Sequence, residues 1–457
     1  MLQRDRMTPL ELRASISLAS IFGLRLLGMF VILPVFAIYA EQLPGGSNLT
    51  LVGVALGAYG LTQALLQIPF GGWSDRFGRK PVIYAGLALF AIGSFVAAAA
   101  SDIYLVIAGR VLQGAGAISA AVMAMAADLT RDEQRTKAMA MIGSTIGLAF
   151  ALSLVASPWL NRHIGVPGIF AMTGLLAVAA MVVVWRVVPD VVESRPNARA
   201  GALQEFWSAL VDPQLARLNY GVFALHAVLM ALFIAIPFSL RDLGMPLDDH
   251  WIVYLPVMLG SFVLMLPAVM GQSRARHLKH YFCASVALLL LVHLALPWLR
   301  GNVWLIALFL LLFFTPFNIL EALLPTLTSK LAAPASRGVA IGLYSSLQFF
   351  GTFVGAVVGG YAYGHWGLGG VVIANAAMLV IWLIASFGMR APRSFSTRSY
   401  PTPGLSDVEA EALAGRLRLL PGVKAAHIVP GESTAFLEVD SAVFDEQNAL
   451  QTIRKVS

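Results

Sequence analysis

Gly71-Gly72-Trp73-Ser74-Asp75-Arg76-Phe77-Gly78-Arg79-Lys80, followed by Pro81-Val82-Ile83, is the stretch on which the reading of this chain turns. It is short, charged and rich in glycine, and it joins two long apolar runs at about 49 to 71 and 82 to 100. A helix needs roughly 20 mostly apolar residues to cross the hydrocarbon core, and it satisfies its own backbone polar groups. The two runs therefore predict membrane-spanning helices, and the charged stretch predicts a tight turn at one membrane surface.

Outward from this turn the pattern repeats. Ten further apolar runs lie at about 15 to 40, 103 to 127, 137 to 160, 167 to 188, 219 to 241, 250 to 271, 281 to 299, 303 to 328, 339 to 363 and 369 to 388, which makes twelve spans. Composition agrees: 58% of the 457 residues are hydrophobic, only 12% are charged, and mean hydropathy is +0.78. That excludes an ordinary soluble globular protein. The first run contains Arg25 and is followed by no small-residue cleavage pattern, which argues for a first span over a removable signal peptide. The single cysteine, Cys283, excludes an internal disulfide and a cysteine-based metal cluster.

A net charge of +7 with a pI near 9.6 would suit a nucleic-acid binder if the basic residues were clustered. They flank the spans instead. One side carries Arg4, Arg6, Arg13, Arg76, Arg79, Lys80, Arg131, Arg135, Lys137, Arg186, Arg195, Arg199, Arg217, Arg274, Arg276, Lys279, Lys330, Arg337, Arg390, Arg393 and Arg398, whereas the other carries Arg162, Arg241 and Arg300. Because the Lys- and Arg-rich side normally stays cytoplasmic, both termini are predicted to be cytoplasmic, and no nucleic-acid partner is needed.

The longest internal loop, 189–218, splits the spans six and six, as in an internally repeated transporter that binds substrate near the midplane between its halves. Residues 1–188 then form an N-terminal six-helix bundle and 219–388 a C-terminal one, with a Pro-, Ser- and Arg-rich linker at 389–404. The tail, 405–457, reads as a small soluble α+β domain. It has a helix through Val408, Leu413, Leu417 and Leu420, strands at 423–429 and 434–440 joined by Pro430-Gly431-Glu432-Ser433, and a second helix at 445–455. An opening strand must come from 394–400, and this order suggests a ferredoxin-like unit lacking its last strand. The tail has a net charge of −3, which gives it a means of docking onto the basic cytoplasmic face.

No GxxxxGK[ST], HExxH, paired CxxC or GxSxG occurs, so the chain reads as no enzyme, and ATP as no direct energy source. Asp248-Asp249-His250 reads as a solvated loop and helix start, and no metal site is expected.

Gly71 to Lys80 resembles the signature loop GxLxDRxGRKxxL of the major facilitator superfamily, with Trp73 where Leu is usual. Arg110-Val111-Leu112-Gln113-Gly114-Ala115-Gly116 resembles that family's RxxQGxG element. In span 5, Gly143, Gly147 and Ser157-Pro158 stand where its drug antiporters carry a glycine-rich motif ending in Gly-Pro. Leu61-Thr62-Gln63-Ala64, Asp128-Leu129-Thr130-Arg131, Arg135-Thr136-Lys137-Ala138-Met139-Ala140 and Glu321-Ala322-Leu323-Leu324-Pro325 are similar to a bacterial drug:proton antiporter-like branch with a C-terminal ferredoxin-like domain. The resemblance implies a twelve-helix fold of two pseudo-symmetric six-helix bundles in a bacterial inner membrane, with a small C-terminal α+β domain.

A conformational latch is expected at the loop. Gly71 and Gly78 free space for a turn and a close backbone approach. Asp75 is an anion suited to the positive N-terminal end of a neighbouring helix, which the resemblance implies is span 11 beginning near Gly338. The resemblance also implies that Arg79 pairs with Asp128. On the competing reading Arg76, Arg79 and Lys80 only enforce topology, since exposed ion pairs contribute about 0–1 kcal/mol.

Proton coupling is expected at Glu321, the clearest carboxylate within a span, because burying it ionised is costly and favours holding a proton near neutral pH. The alternative is a carboxyl bonded for packing or lying near the cytoplasmic mouth. Arg25, about ten residues into span 1 or ~15 Å deep, is a candidate counter-ion for Glu321, an anchor for an acidic substrate group, or an arginine bonded to carbonyls. The resemblance puts Arg110 near the proton pathway. His226 is a candidate relay because imidazole titrates near neutral pH, although a lone intramembrane histidine is more often a satisfied hydrogen-bonding group. Phe30, Gln63, Gln67, Gln113, Phe317, Asn318, Gln348 and Asn375 are candidates to line a central cavity. The polar ones can instead join helices, at about 0.6 kcal/mol per bond.

The expected function is proton-coupled efflux of lipophilic or amphipathic small molecules by alternating access. The expected partners are substrate, protons and the bilayer, and no cofactor is needed beyond a proton gradient. A metabolite facilitator or symporter is the alternative transporter; a transporter-like sensor acting through the tail is the alternative of another class.

Overall fold

The structure, a computed structural model, describes residues 7–190, 202–271, 278–332, 337–389, 395–402, 405–429, 434–440 and 443–454. The hairpin turn 430–433, residues 390–394 and 403–404 of the linker, 191–201 of the central loop, and the basic residues Arg4, Arg6, Arg195, Arg199, Arg274, Arg276, Arg390 and Arg393 lie outside them. The chain forms two compact units, Met1–Val269 with Phe282–Met389, and Met270–Tyr281 with Arg390–Ser457.

In the first unit, α1 (Pro9–Phe30) starts at a reciprocal cap: Thr8 accepts from the Glu11 backbone N–H, and the Glu11 carboxylate accepts from that of Thr8. The helix is interrupted before α2 (Leu33–Ala40), because Pro34 has no N–H to give and its ring obstructs the carbonyl of Phe30. Together they make the first span. Then come α3 (Leu49–Phe77) and α4 (Arg79–Ala98). The sequence predicts a polar loop over 71–80, yet α3 runs through it to Phe77 and the turn is Gly78 alone, at φ 92. Only glycine adopts that φ without a Cβ clash. Hydrogen bonds from Arg79 back to Ser74 and Asp75 hold the polar turn helical.

The fourth span is also interrupted, into α5 (Ile103–Ala115) and α6 (Ser119–Asp128), where a continuous helix is predicted. α7 (Asp132–Arg186) and α13 (Arg337–Phe387) each contain one non-helical glycine, Gly165 at φ 64 and Gly367 at φ 59. Among the described residues, ten stretches are long and apolar enough to cross a membrane, and the two within α7 and α13 have 50 residues each. Fifty residues at 1.5 Å apiece span about 75 Å against a core of roughly 30 Å, so each of these counts as two crossings broken at its glycine. That makes twelve. The remaining helices are α8 (Ala202–Val211), α9 (Pro213–Asp242), α10 (Trp251–Gly271), α11 (Leu278–Leu299) and α12 (Val303–Leu331).

The two halves meet along α3 and α13 so closely that a Cβ at Gly53 would run into the Ala356 carbonyl. At the end of the bundle carrying Ala40 and Asp242, Arg241 Nη1 pairs with Glu41 at 2.5 Å and Asn161 Nδ2 donates to Asp248 at 3.2 Å. Both bonds join the N-terminal half to the C-terminal half.

The tail contains β1 (Phe395–Pro401), α14 (Asp407–Arg418), β2 (Val423–Val429), β3 (Thr434–Asp440) and α15 (Glu446–Arg454). The strands form one antiparallel sheet in the order β1-β3-β2, with Leu437 opposite both Arg398 and Ala426. Tyr400, Leu413, Leu417, Leu437, Val439 and Ile453 make its core. Ser406 caps α14 with bonds to Glu409 that hold that carboxyl below its usual range.

Candidate functional site

Three polar clusters interrupt the apolar packing of the first unit. The first lies at the Gly78 turn. Arg79, 9% exposed, donates from Nε to Asp128 at 2.9 Å, from Nη1 to Ser74 Oγ at 2.8 Å, and from Nη1 also to Asp75. Asp75 is thus bonded within its own turn. Lys80 reaches Asp190 at 2.7 Å, Arg76 lies over the Phe77 ring, and Gly71 faces Ala120. Sequence reasoning missed a neighbouring clamp. Glu11 accepts from Arg131 N at 3.0 Å, Nε at 2.8 Å and Nη2 at 3.1 Å, tying the start of α1 to the start of α7. The available signal was Thr8-Pro-Leu-Glu11, a capping box whose glutamate keeps an oxygen for a second partner.

The second cluster occupies the interior of the N-terminal half. Arg25 donates to Ser119 Oγ at 3.1 Å and to Gln63, and Gln63 donates to Gln67 at 3.1 Å. Arg110 donates to Gln113 at 2.9 Å and to the Leu56 carbonyl at 3.3 Å, and Gln113 in turn donates to Ser94 at 2.7 Å. Both guanidiniums pack on the Tyr59 ring, at 5.5 and 5.1 Å. The structure does not bring Arg25 to Glu321, the counter-ion relationship weighed from the sequence. Gln63, Gln67 and Gln113 are at most 2% exposed and are consumed in this network.

The third cluster joins α9, α12 and α13 in the C-terminal half. The Gln348 amide nitrogen lies 2.8 Å from His226 Nε2 and donates to Glu321 Oε1 at 3.3 Å; His226 Nε2 is 3.7 Å from Glu321 Oε2. His226 Nδ1 sits 3.0 Å from the Val222 carbonyl, which can only accept, so Nδ1 carries a hydrogen. Nε2 of the neutral ring is then the acceptor for Gln348. Among the described residues, Glu321 Oε2 has no hydrogen-bond partner. Asn318 instead donates to Ser261 at 3.1 Å, and Asn375 to the Val228 carbonyl at 3.5 Å. Those two asparagines join helices.

Between the halves runs an aromatic seam. Phe150 of α7 meets Phe30 edge-on at 5.1 Å, Phe314 at 5.8 Å, Phe317 at 6.2 Å and Phe233 at 6.2 Å. Phe150 was not singled out from the sequence, where nothing separates it from other span phenylalanines. Beside the seam lies a small apolar cleft, with room for about one water, lined by Leu229, Leu232, Phe233, Ile236, Tyr254, Leu310, Phe313 and Phe314.

Comparison with known proteins agrees with this architecture. A family profile described as Major Facilitator Superfamily matches residues 18–355. The chain is 40% identical over 452 residues to the inner membrane transport protein YajR of Escherichia coli (strain K12), covering 98% of this chain and 99% of that protein. Among solved structures, a bacterial homologue of the human lysosomal transporter Spinster, in an inward-facing and occupied conformation, matches with a TM-score of 0.66 at 14% identity over 84% of this chain and 97% of its own. A D-xylose-proton symporter matches at 0.64 and 15% identity, over 84% and 98%.

Proposed function

The chain belongs to the major facilitator superfamily of secondary transporters, and from that premise we propose that it exports lipophilic or amphipathic small molecules by alternating access, driven by protons that Glu321 carries. The supporting observation is the buried Glu321 Oε2, unpartnered and 3.7 Å from the acceptor nitrogen of His226. A proton arriving at His226 Nε2 meets the Gln348 amide nitrogen at 2.8 Å, donor against donor, so Gln348 must turn its oxygen toward the ring. Turning it withdraws the amide hydrogen from Glu321 Oε1. Proton occupancy is thereby linked to contacts among three helices of one half, which is the requirement for biasing a two-state rocking equilibrium.

The phenylalanine seam between the halves supports a greasy substrate, since aromatic walls with few polar groups recognise shape and apolar area. The paired ends at Glu41–Arg241 and Asn161–Asp248 support a state closed on the side opposite the Gly78 turn. The charge distribution and the relationship to an inner membrane protein support an inner-membrane location with that turn and both termini cytoplasmic. The tail's β-α-β-β-α order and β1-β3-β2 sheet support a ferredoxin-like domain after residue 394.

Proteoliposomes with an imposed pH gradient test the proposal, using a panel of lipophilic fluorescent compounds and an internal pH dye. The expected result is substrate movement accompanied by opposite proton movement, with Glu321→Gln abolishing the gradient-driven component and sparing downhill exchange. Gradient-driven transport that survives Glu321→Gln removes this carboxylate from the coupling.

A further inference from the structure

One side chain belongs both to the polar cluster around Glu321 and to the seam between the halves. Phe317 precedes Glu321 by one turn of α12, on the same face of the helix. Its ring centroid lies 6.1 Å from that of the His226 imidazole, with the planes at 58°. The same ring stacks on Phe150 of the N-terminal half, at 6.2 Å and 27°. Phe233 and Phe314 also reach Phe150 from the C-terminal half, but among the described residues only Phe317 pairs its ring with both Phe150 and His226.

A ring held between these two partners responds to charge. Toward neutral imidazole, Phe317 makes an apolar contact of the same kind as it makes with Phe150. A proton on Nε2 turns the imidazole into a cation, and a cation within about 6 Å of a ring centroid is drawn to the π-face, more strongly where water is excluded. Phe317 and His226 are buried, and their separation stands at the outer limit of that range, so the attraction grows as Phe317 approaches His226. Phe150, on a different helix of the other half, is what the approach loosens. Among the described residues, the ionisable groups set against His226 are Glu321 of α12, 3.7 Å away, and the buried Tyr344 hydroxyl of α13, one turn from Gln348 and within electrostatic range of Glu321. Of the remaining ionisable groups on α9 and its neighbours, Arg217, Arg241 and Asp242 stand near the ends of α9, Tyr220 donates to the Met378 carbonyl, and Tyr363 stacks on Phe238.

We propose that Phe317 is the positioning residue through which proton occupancy in one half reaches the other. With His226 neutral its ring stays stacked on Phe150; with His226 protonated the ring is drawn toward the imidazolium and the seam loosens. The inference rests on the reading of Glu321 and His226 as the proton site, and adds to it the contact that crosses between the halves. Gln348 answers the proton inside the C-terminal half, and Phe317 answers it across the seam. A ring with two competing partners, one of which gains attraction on protonation, supplies the differential contact that a population shift requires.

The test uses the full-length protein in lipid nanodiscs, with Cys283 replaced by serine and spin labels at the ends of α2 and α9, where Glu41 and Arg241 join the halves. As the pH is lowered from about 8 to about 5, across the imidazole range, the distance distribution and the proton uptake reported by a soluble indicator dye are both recorded. Both are expected to change in the unaltered protein. Phe317→Leu keeps apolar bulk and removes the π-face; it is expected to keep the proton uptake while the ratio of states moves about 5–30-fold less. Phe317→Tyr is expected to restore the response. Phe150→Leu, which alters the seam from the opposite half, is expected to give the same split, and decides if Phe317→Leu does not fold. Distances that follow pH in both leucine variants as they do in the unaltered protein overturn the proposal and leave the proton site standing. Loss of proton uptake together with the distance response in Phe317→Leu also overturns it, since the ring then only supports the site. Glu321→Gln with undiminished proton uptake and an undiminished distance response overturns the proton site, and the proposal with it.

Discussion

The N-terminal and C-terminal halves of the helical unit differ in the chemistry of their interiors. The N-terminal half surrounds two arginines with amides, hydroxyls and one tyrosine ring, all of which keep their charge state across the physiological range. The C-terminal half surrounds a carboxylate with an imidazole and an amide, groups whose bonding changes whenever a proton comes or goes. A machine that couples protons to rocking needs one side whose charge is variable and a reference against which it moves. The acids of the N-terminal half that engage partners at the Gly78 end, Glu11, Asp75 and Asp128, are each bonded to an arginine.

The sharpest way to break this contrast is to give the N-terminal half a carboxylate. Gln63 already bonds Arg25, so Gln63→Glu places an anion against a buried cation, while Gln67, which accepts from the Gln63 amide, must turn its own amide hydrogens toward the new carboxylate. Breaking buried charge pairs costs about 3–5 kcal/mol, and creating one here is expected to stabilise by about 2 kcal/mol once the new carboxylate's desolvation is subtracted. Thermal unfolding should show a higher Tm. A lower Tm would mean that the amide network already compensates Arg25, and that the halves differ less than their residue types suggest.

A smaller effect is expected from the paired acids at the membrane surface. Glu11→Gln keeps a side chain able to close the capping box but removes the charge that holds Arg131. The cost should be about 1–2 kcal/mol, read as a lower denaturant midpoint, with the pH profile of transport unchanged. A changed pH profile would give the N-terminal half a titrating role and erase the contrast between the halves.

Much of the fold was legible in the residues. Long apolar runs require helices in a bilayer, and the Gly71–Lys80 stretch carries a turn that only Gly78 can make. Less legible was where helices stop: Pro34 interrupts a span whose hydropathy never falters, and α3 continues through Ser74-Asp75-Arg76 because Arg79 folds back onto it. The same limit governed the site. Residue type and depth singled out Glu321, His226 and Arg25, but partners follow from helix rotation and inter-helix distance, which one sequence does not encode locally. Gln348 thus serves Glu321 and His226, and Arg25 belongs to Gln63 and Ser119. Asn318 and Asn375, polar and deep like Gln348, spend their amides on neighbouring helices.

The smallest effect is expected where the halves touch, at Arg241 and Glu41. Both side chains are about two-fifths exposed, at 42% and 40%, so water screens the pair and its worth is at most ~1 kcal/mol. Because the bond joins the halves, that energy appears as a bias between conformations: Arg241→Gln should shift the ratio of states by no more than about fivefold toward opening at this end. The Asn161–Asp248 bond persists in the variant and limits the shift further. Distances between spin labels on the ends of α2 and α9 measure it directly, and the exchanged pair Glu41→Arg with Arg241→Glu should restore the original distribution. Restoration assigns the bias to the ion pair itself; a shift that the exchange fails to reverse assigns it to packing around Phe238, over whose ring Arg241 lies at 4.9 Å.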